Sequence, residues 1–70
     1  MRPIYDMRYA RLVRATLAST AQEARQHMAL LAIASEASAE RRDPDRAEYE
    51  DAIGSVVSFL YGRFGVAIFA

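Results

Sequence analysis

Seventy residues without a cysteine permit one domain, near the lower size limit for a core that has no disulfide or thiolate-bound metal to support it. Hydrophobic residues make up 53% of the chain, which argues against disorder and for more apolar surface than so small a monomer can hide. The net charge is zero but segregated: residues 1–25 carry five arginines against Asp6 and Glu23, residues 36–51 carry seven carboxylates against three arginines, and Arg63 restores the balance.

All nine basic residues are arginine and fourteen residues are alanine, a pairing that a GC-rich coding sequence explains and that favours helix throughout. Met1 to Arg14 is charged and lacks an apolar run, so no signal peptide is expected and a cytoplasmic location is the default.

In chain order, Pro3 suits the first turn of a helix and Asp6 puts an acid near the positive end of its dipole. From Ile4 to Asp43 there is neither glycine nor proline. A continuous or slightly kinked helix is the expected form, about 55–60 Å long at 1.5 Å per residue. Its main stripe runs Ala10, Val13, Leu17, Ala21, Ala24, Met28, Leu31 and Ser35, with small residues where a neighbouring helix would approach closely. The alternative is a break near residue 20, because Thr20-Ala21-Gln22-Glu23 matches a capping box. Met28 to Ala34 is apolar all the way round, as in a segment buried on several sides.

Ala39 to Asp51 reads as a polar hinge and as the clearest boundary in the chain. Arg41 and Arg42 favour a helix C-terminus, Asp43 an N-cap, Pro44 the first helical position, and Asp45 and Glu48 the first turns. The last helix is expected from Pro44 to about Gly62, with Gly62 and Gly65 as stops and Val66 to Phe69 as an apolar tail, extended or helical. Within it, Tyr49, Ile53, Val56, Val57, Leu60 and Phe64 share one bulky stripe, and Gly54, Ser58 and Gly62 form a small-residue ridge on the other side. A helix with two interacting faces in so short a chain predicts self-association, with Gly54, Ser58, Gly62, Met28, Leu31 and Leu60 at the oligomer interface.

The expected fold is therefore all-α and a single domain over residues 1–70. It would be a helical hairpin, or a three-helix arrangement if the chain breaks near residue 20, assembled into an oligomeric bundle with a dimer as the simplest case.

Three residue groups carry candidate chemistry. Arg8, Arg11 and Arg14 share a helix flank near Tyr5 and Tyr9, a combination that can grip phosphates and stack on bases, although it also describes a solvated amphipathic face. The acidic run Asp43, Asp45, Glu48, Glu50 and Asp51 can present a partner patch that mimics nucleic acid, although helix-dipole placement explains half of it. In an antiparallel dimer the basic start of one chain would face the acidic hinge of the other. The four-residue spacings Glu23–His27 and Glu36–Glu40 supply too few ligands for a metal, so neither metal nor cofactor is expected.

No nucleophile–base constellation or glycine-rich phosphate loop is visible, and an enzyme is not expected. Ala52 to Ala70 approaches the length of a bilayer span, but Arg63 in its middle would cost about 2.5–3.5 kcal/mol to insert, so membrane association is not the favoured reading. What remains is a non-enzymatic protein that binds a larger macromolecule, a host protein or nucleoprotein complex, as an inhibitor, adaptor or regulator. Small phage and mobile-element proteins that block host defences have this kind of composition. The competing expectation is a nucleotide or nucleic-acid binder using the arginine and tyrosine face.

Overall fold

The computed structural model describes residues 7–67. Pro3, Tyr5, Asp6 and the end of the apolar tail beyond Ala67 lie outside them. Within them the chain forms three helices and no strand: α1 (Met7–Thr16), α2 (Ala21–Arg41) and α3 (Arg46–Phe64).

The expected continuous first helix is broken, and the capping box is where it breaks. The α1 helix closes with two tightened turns, Leu17 N–H to Arg14 C=O at 3.1 Å and Ala18 N–H to Ala15 C=O at 3.2 Å. Thr20 is extended, at φ −131° and ψ 160°, and its hydroxyl oxygen accepts the Glu23 backbone N–H at 3.1 Å. The Glu23 carboxylate accepts the N–H of Ser19 at 2.9 Å, one residue before the cap itself. Two donors orphaned by the helix start are thus satisfied by side chains, and neither glycine nor proline is needed for the turn. Packing favours the break as well. A rod of about 55–60 Å would have only α3, about 28 Å long, to cover its apolar stripe. Folding α1 back along α2 covers both.

The break also resets the helical phase, which corrects the N-terminal half of the expected stripe. Val13 is 59% exposed and Leu17 72% exposed, whereas Leu12, Ala15 and Ala18 are buried. The second half of the stripe keeps its phase: Ala24, Met28 and Leu31 are buried, joined by Ala34 and Ser38. The Met28 to Ala34 stretch is covered on one side only, because Leu30 and Ile33 stand in solvent.

The second boundary falls where expected, with a different arrangement of residues. Arg42 takes the left-handed conformation (φ 57°, ψ 46°) that glycine usually fills. Its N–H reaches Ala39 C=O at 3.1 Å, and the Asp43 N–H reaches Ser38 C=O at 3.3 Å, closing the helix end in the Schellman manner. Asp43 does not cap α3. Residues 43–46 form a turn closed by Arg46 N–H to Asp43 C=O at 3.2 Å, so α3 starts at Arg46 rather than Pro44. At the far end Gly62 is inside the helix and Gly65 stops it, at φ 68° with its N–H on Tyr61 C=O at 2.7 Å. Val66 then packs into the core.

The bulky stripe of α3 faces inward as its spacing predicts. Tyr49, Ile53 and Leu60 are buried, and Val56, Val57 and Phe64 pack against them. Small residues from the other two helices, Ala15, Ala24 and Ala34, share this core and let the backbones approach. Met28, Leu31 and Leu60, expected at an interface between copies, are enclosed by their own chain. The Cα envelope measures 33 × 23 × 15 Å, so in its thin direction the fold is only about two helices deep. Each helix therefore keeps an outer face.

Tyr49 is fully buried, yet its hydroxyl has no hydrogen-bond partner among the described residues. A buried, unsatisfied hydroxyl costs about 1–3 kcal/mol. Tyr49→Phe is expected to leave the melting temperature unchanged or raise it, and a loss above about 1 kcal/mol would show that the hydroxyl is bonded after all. Thr20→Ala should destabilise the fold by about 1 kcal/mol in denaturant titration through loss of the cap.

Candidate functional site

Three surfaces of the described residues carry chemistry: a charged clasp at the α2–α3 turn, a basic notch between α1 and α2, and the outer face of α3.

The clasp is built around Arg8. Its guanidinium donates to both carboxylate oxygens of Asp45, at 2.7 and 2.9 Å, and to Asp43 at 3.2 Å. Arg41 donates to the same Asp43 at 2.9 and 3.3 Å, and the Ser38 hydroxyl donates to it at 3.2 Å. The Arg8 guanidinium also lies 5.2 Å from the Tyr49 ring centroid and 5.8 Å from that of Tyr9, and the two rings meet at a 60° tilt with centroids 6.0 Å apart. A bidentate, partly desolvated pair of this kind is stronger and more directional than a surface ion pair.

The donors depress both acids. The Arg8 hydrogen bonds hold Asp45 below the ordinary carboxylate value of 3.8, against the opposing effect of desolvation. Arg41 first, then Ser38, does the same for Asp43. A wide, open hollow of about 760 Å³ lies beside the clasp, lined by Arg8, Arg41, Asp43, Pro44, Asp45 and Glu48. Arg8, Arg41, Asp43 and Asp45 are already engaged with one another, and Glu48 stands at its edge.

The clasp revises both charged candidates. Of the basic and aromatic group, Tyr5 lies outside the described residues, Arg8 is engaged by Asp43 and Asp45, and Tyr9 is turned against Tyr49. Only Arg11 and Arg14 still face outward. Of the acidic run, Asp43 and Asp45 are neutralised by arginines, and Glu50 lies 3.8 Å from Arg46 and accepts weakly from Ser35 at 3.5 Å. Glu48 and Asp51 remain as exposed acids. The basic start of the chain does meet the acidic hinge, but it does so within one chain.

The notch lies between α1 and α2, with Arg11 and Arg14 on one bank and His27, Leu30 and Leu31 on the other. Its volume is about 130 Å³. His27 entered the sequence reading only as a partner for Glu23. Its association with Arg11 and Arg14 depends on α1 folding back, a contact between distant positions that helical spacing along a single rod does not contain.

The third surface is the ridge of α3. Gly54, Ser58 and Gly62 are all exposed, and a Cβ built on either glycine would meet nothing within 4 Å. Tyr61 projects about 60° to one side of Ser58 and Phe59 about 100° to the other at 100° per residue. They are 59% and 48% exposed. The ridge is thus the floor of a shallow channel between two aromatic side chains.

Comparison with known proteins adds no relative. No family model, curated protein or solved structure matches this chain. No helix among the described residues is long and apolar enough to cross a membrane, and no three of their His, Asp or Glu side chains are grouped to hold a metal ion.

Because the folded-state values of Asp43 and Asp45 are depressed, their contribution to stability is complete above the unfolded carboxylate value and disappears as pH falls through the lower folded value. Asp45→Asn should melt below the wild type at pH 7, and the gap should close as pH falls below about 4 in melting curves recorded by circular dichroism. A constant gap down to pH 2 would show that the charge of Asp45 contributes nothing.

Proposed function

We propose that this chain is a non-enzymatic binding protein that acts on another macromolecule as an inhibitor, adaptor or regulator, with the outer face of α3 as its docking surface. One observation carries the reading. A 19-residue helix with its bulky stripe already buried presents a second, solvent-exposed face with glycine and serine along its ridge and one exposed aromatic ring, Tyr61 and Phe59, on each side of Ser58. Small residues spaced by four let a second helix approach closely, and flanking aromatics supply most of the contact area that such an approach buries.

The natural occupant is a helix. A second copy of α3 meets that description, so self-association as a dimer and binding of a larger partner are competing uses of one face. Other exposed apolar side chains, among them Val13, Leu17 and Ile33, are carried by the outer faces of α1 and α2 and the turn between them. They add to the apolar surface that a partner can cover.

Ser58→Arg tests this directly, because the side chain is exposed and the change places a charged stem in the middle of the channel without touching the core. The unfolding free energy of the monomer itself should stay within about 0.5 kcal/mol of the wild type's, and only the stabilisation that dimerisation adds should be lost. Light scattering at micromolar concentration should give about twice 7.8 kDa for the wild type and the monomer mass for Ser58→Arg. A partner captured from the native host by the wild type should be lost by the variant. A wild-type monomer, together with a partner that Ser58→Arg retains, would rule out α3 as the docking face.

A further inference from the structure

The notch between α1 and α2 concentrates cationic groups that the fold itself does not use. Arg11 and Arg14 sit three residues apart on one flank of α1, and among the described residues no side-chain hydrogen bond or ion pair engages either of them or His27. Arg8, on the same helix, shows the contrast: it is matched by two carboxylates. The nearest acid along α2 is Glu23, one turn before His27, and its carboxylate is anchored on the Ser19 N–H at the helix start. Two guanidinium groups and an imidazole therefore border one small volume with no counter-charge bonded to them.

The shape narrows the ligand. The notch holds about 130 Å³, several times the roughly 10–15 Å³ that one water needs, and room for one small anion with part of its hydration. Among the described residues its remaining lining is Leu30 and Leu31, with no aromatic face on which a base could stack. Guanidinium groups match tetrahedral oxyanions through paired donors, and two of them suit a doubly charged one. An extended polyanion is disfavoured, because Glu36 and Glu40 follow on α2 and the chain has no net positive charge.

We propose that this notch is a binding site for a phosphoryl dianion, free phosphate or a small phosphomonoester, gripped by Arg11 and Arg14 and closed on its other bank by His27. The site is independent of the α3 channel.

His27 is the only histidine in the chain, so its imidazole C–H proton resonances report the notch directly in one-dimensional NMR. Inorganic phosphate and O-phosphoserine, titrated at constant ionic strength, should each shift those resonances saturably, and the tighter of the two identifies the source as free anion or organic monoester. Arg14→Glu should weaken binding about tenfold or more, and Arg14→Lys less. His27→Ala, followed by calorimetry, should weaken it too. Ser58→Arg should bind as the wild type does, which separates this test from that of the α3 face. The assignment is overturned by any of three results: shifts that chloride reproduces, an Arg14→Glu variant with undiminished binding, or an oligonucleotide that binds through Arg14 more tightly than either phosphate.

Discussion

Arg8 ties the architecture together. It lies on the short first helix, yet its guanidinium is held by two aspartates more than thirty residues further on and lies within 6 Å of the ring centroids of both Tyr9 and Tyr49. A ten-residue helix has little stability of its own and must be held by tertiary contacts. Leu12 and Ala15 supply apolar contact, and the Arg8 pair supplies direction. It fixes how far α1 runs along α2 and joins it to the turn from which α3 departs. The same contact brings Tyr49 beside the guanidinium, where the ring is well used and the hydroxyl has no partner among the described residues.

This internal pairing decides which charges are available to other molecules. A chain with a basic start and an acidic hinge has two patches on paper. Folding brings the two together at one end of the α1–α2 pair and cancels much of both. The basic residues one and two turns further along α1 are left beside His27 instead, so a broad basic face becomes a small, localised anion site. The interaction surfaces follow from size in the same way. Three helices whose Cα envelope is only 15 Å thick bury one side of each, and the apolar residues in excess of the core must stand outside. On α3 the excess flanks a small-residue ridge, whereas Val13, Leu17, Leu30 and Ile33 are carried by the other two helices and the turn that joins them.

Much of the local structure was legible in residue order. The inward stripe of α3 follows from six bulky residues at helical spacing, and the α2–α3 boundary from Arg41, Arg42, Asp43 and Pro44. The capping box at Thr20 was visible too, but it competed with the absence of any glycine or proline before Asp43. Local signals could not rank those two readings, because the deciding term is the burial gained when α1 returns along α2. Once that choice went against the continuous rod, the phase of the first stripe and the positions of Val13 and Leu17 changed with it.

Composition and periodicity by themselves determined an all-helical chain, the faces of α3 and the place of the second turn, since each rests on contacts within a few residues. The pairing of Arg8 with Asp43 and Asp45, the enclosure of Met28, Leu31 and Leu60 within one chain, and the meeting of Arg11 and Arg14 with His27 were decided only by tertiary structure. Each joins positions that helical spacing cannot relate, and each exists because a small chain lowers its free energy most by folding back on itself.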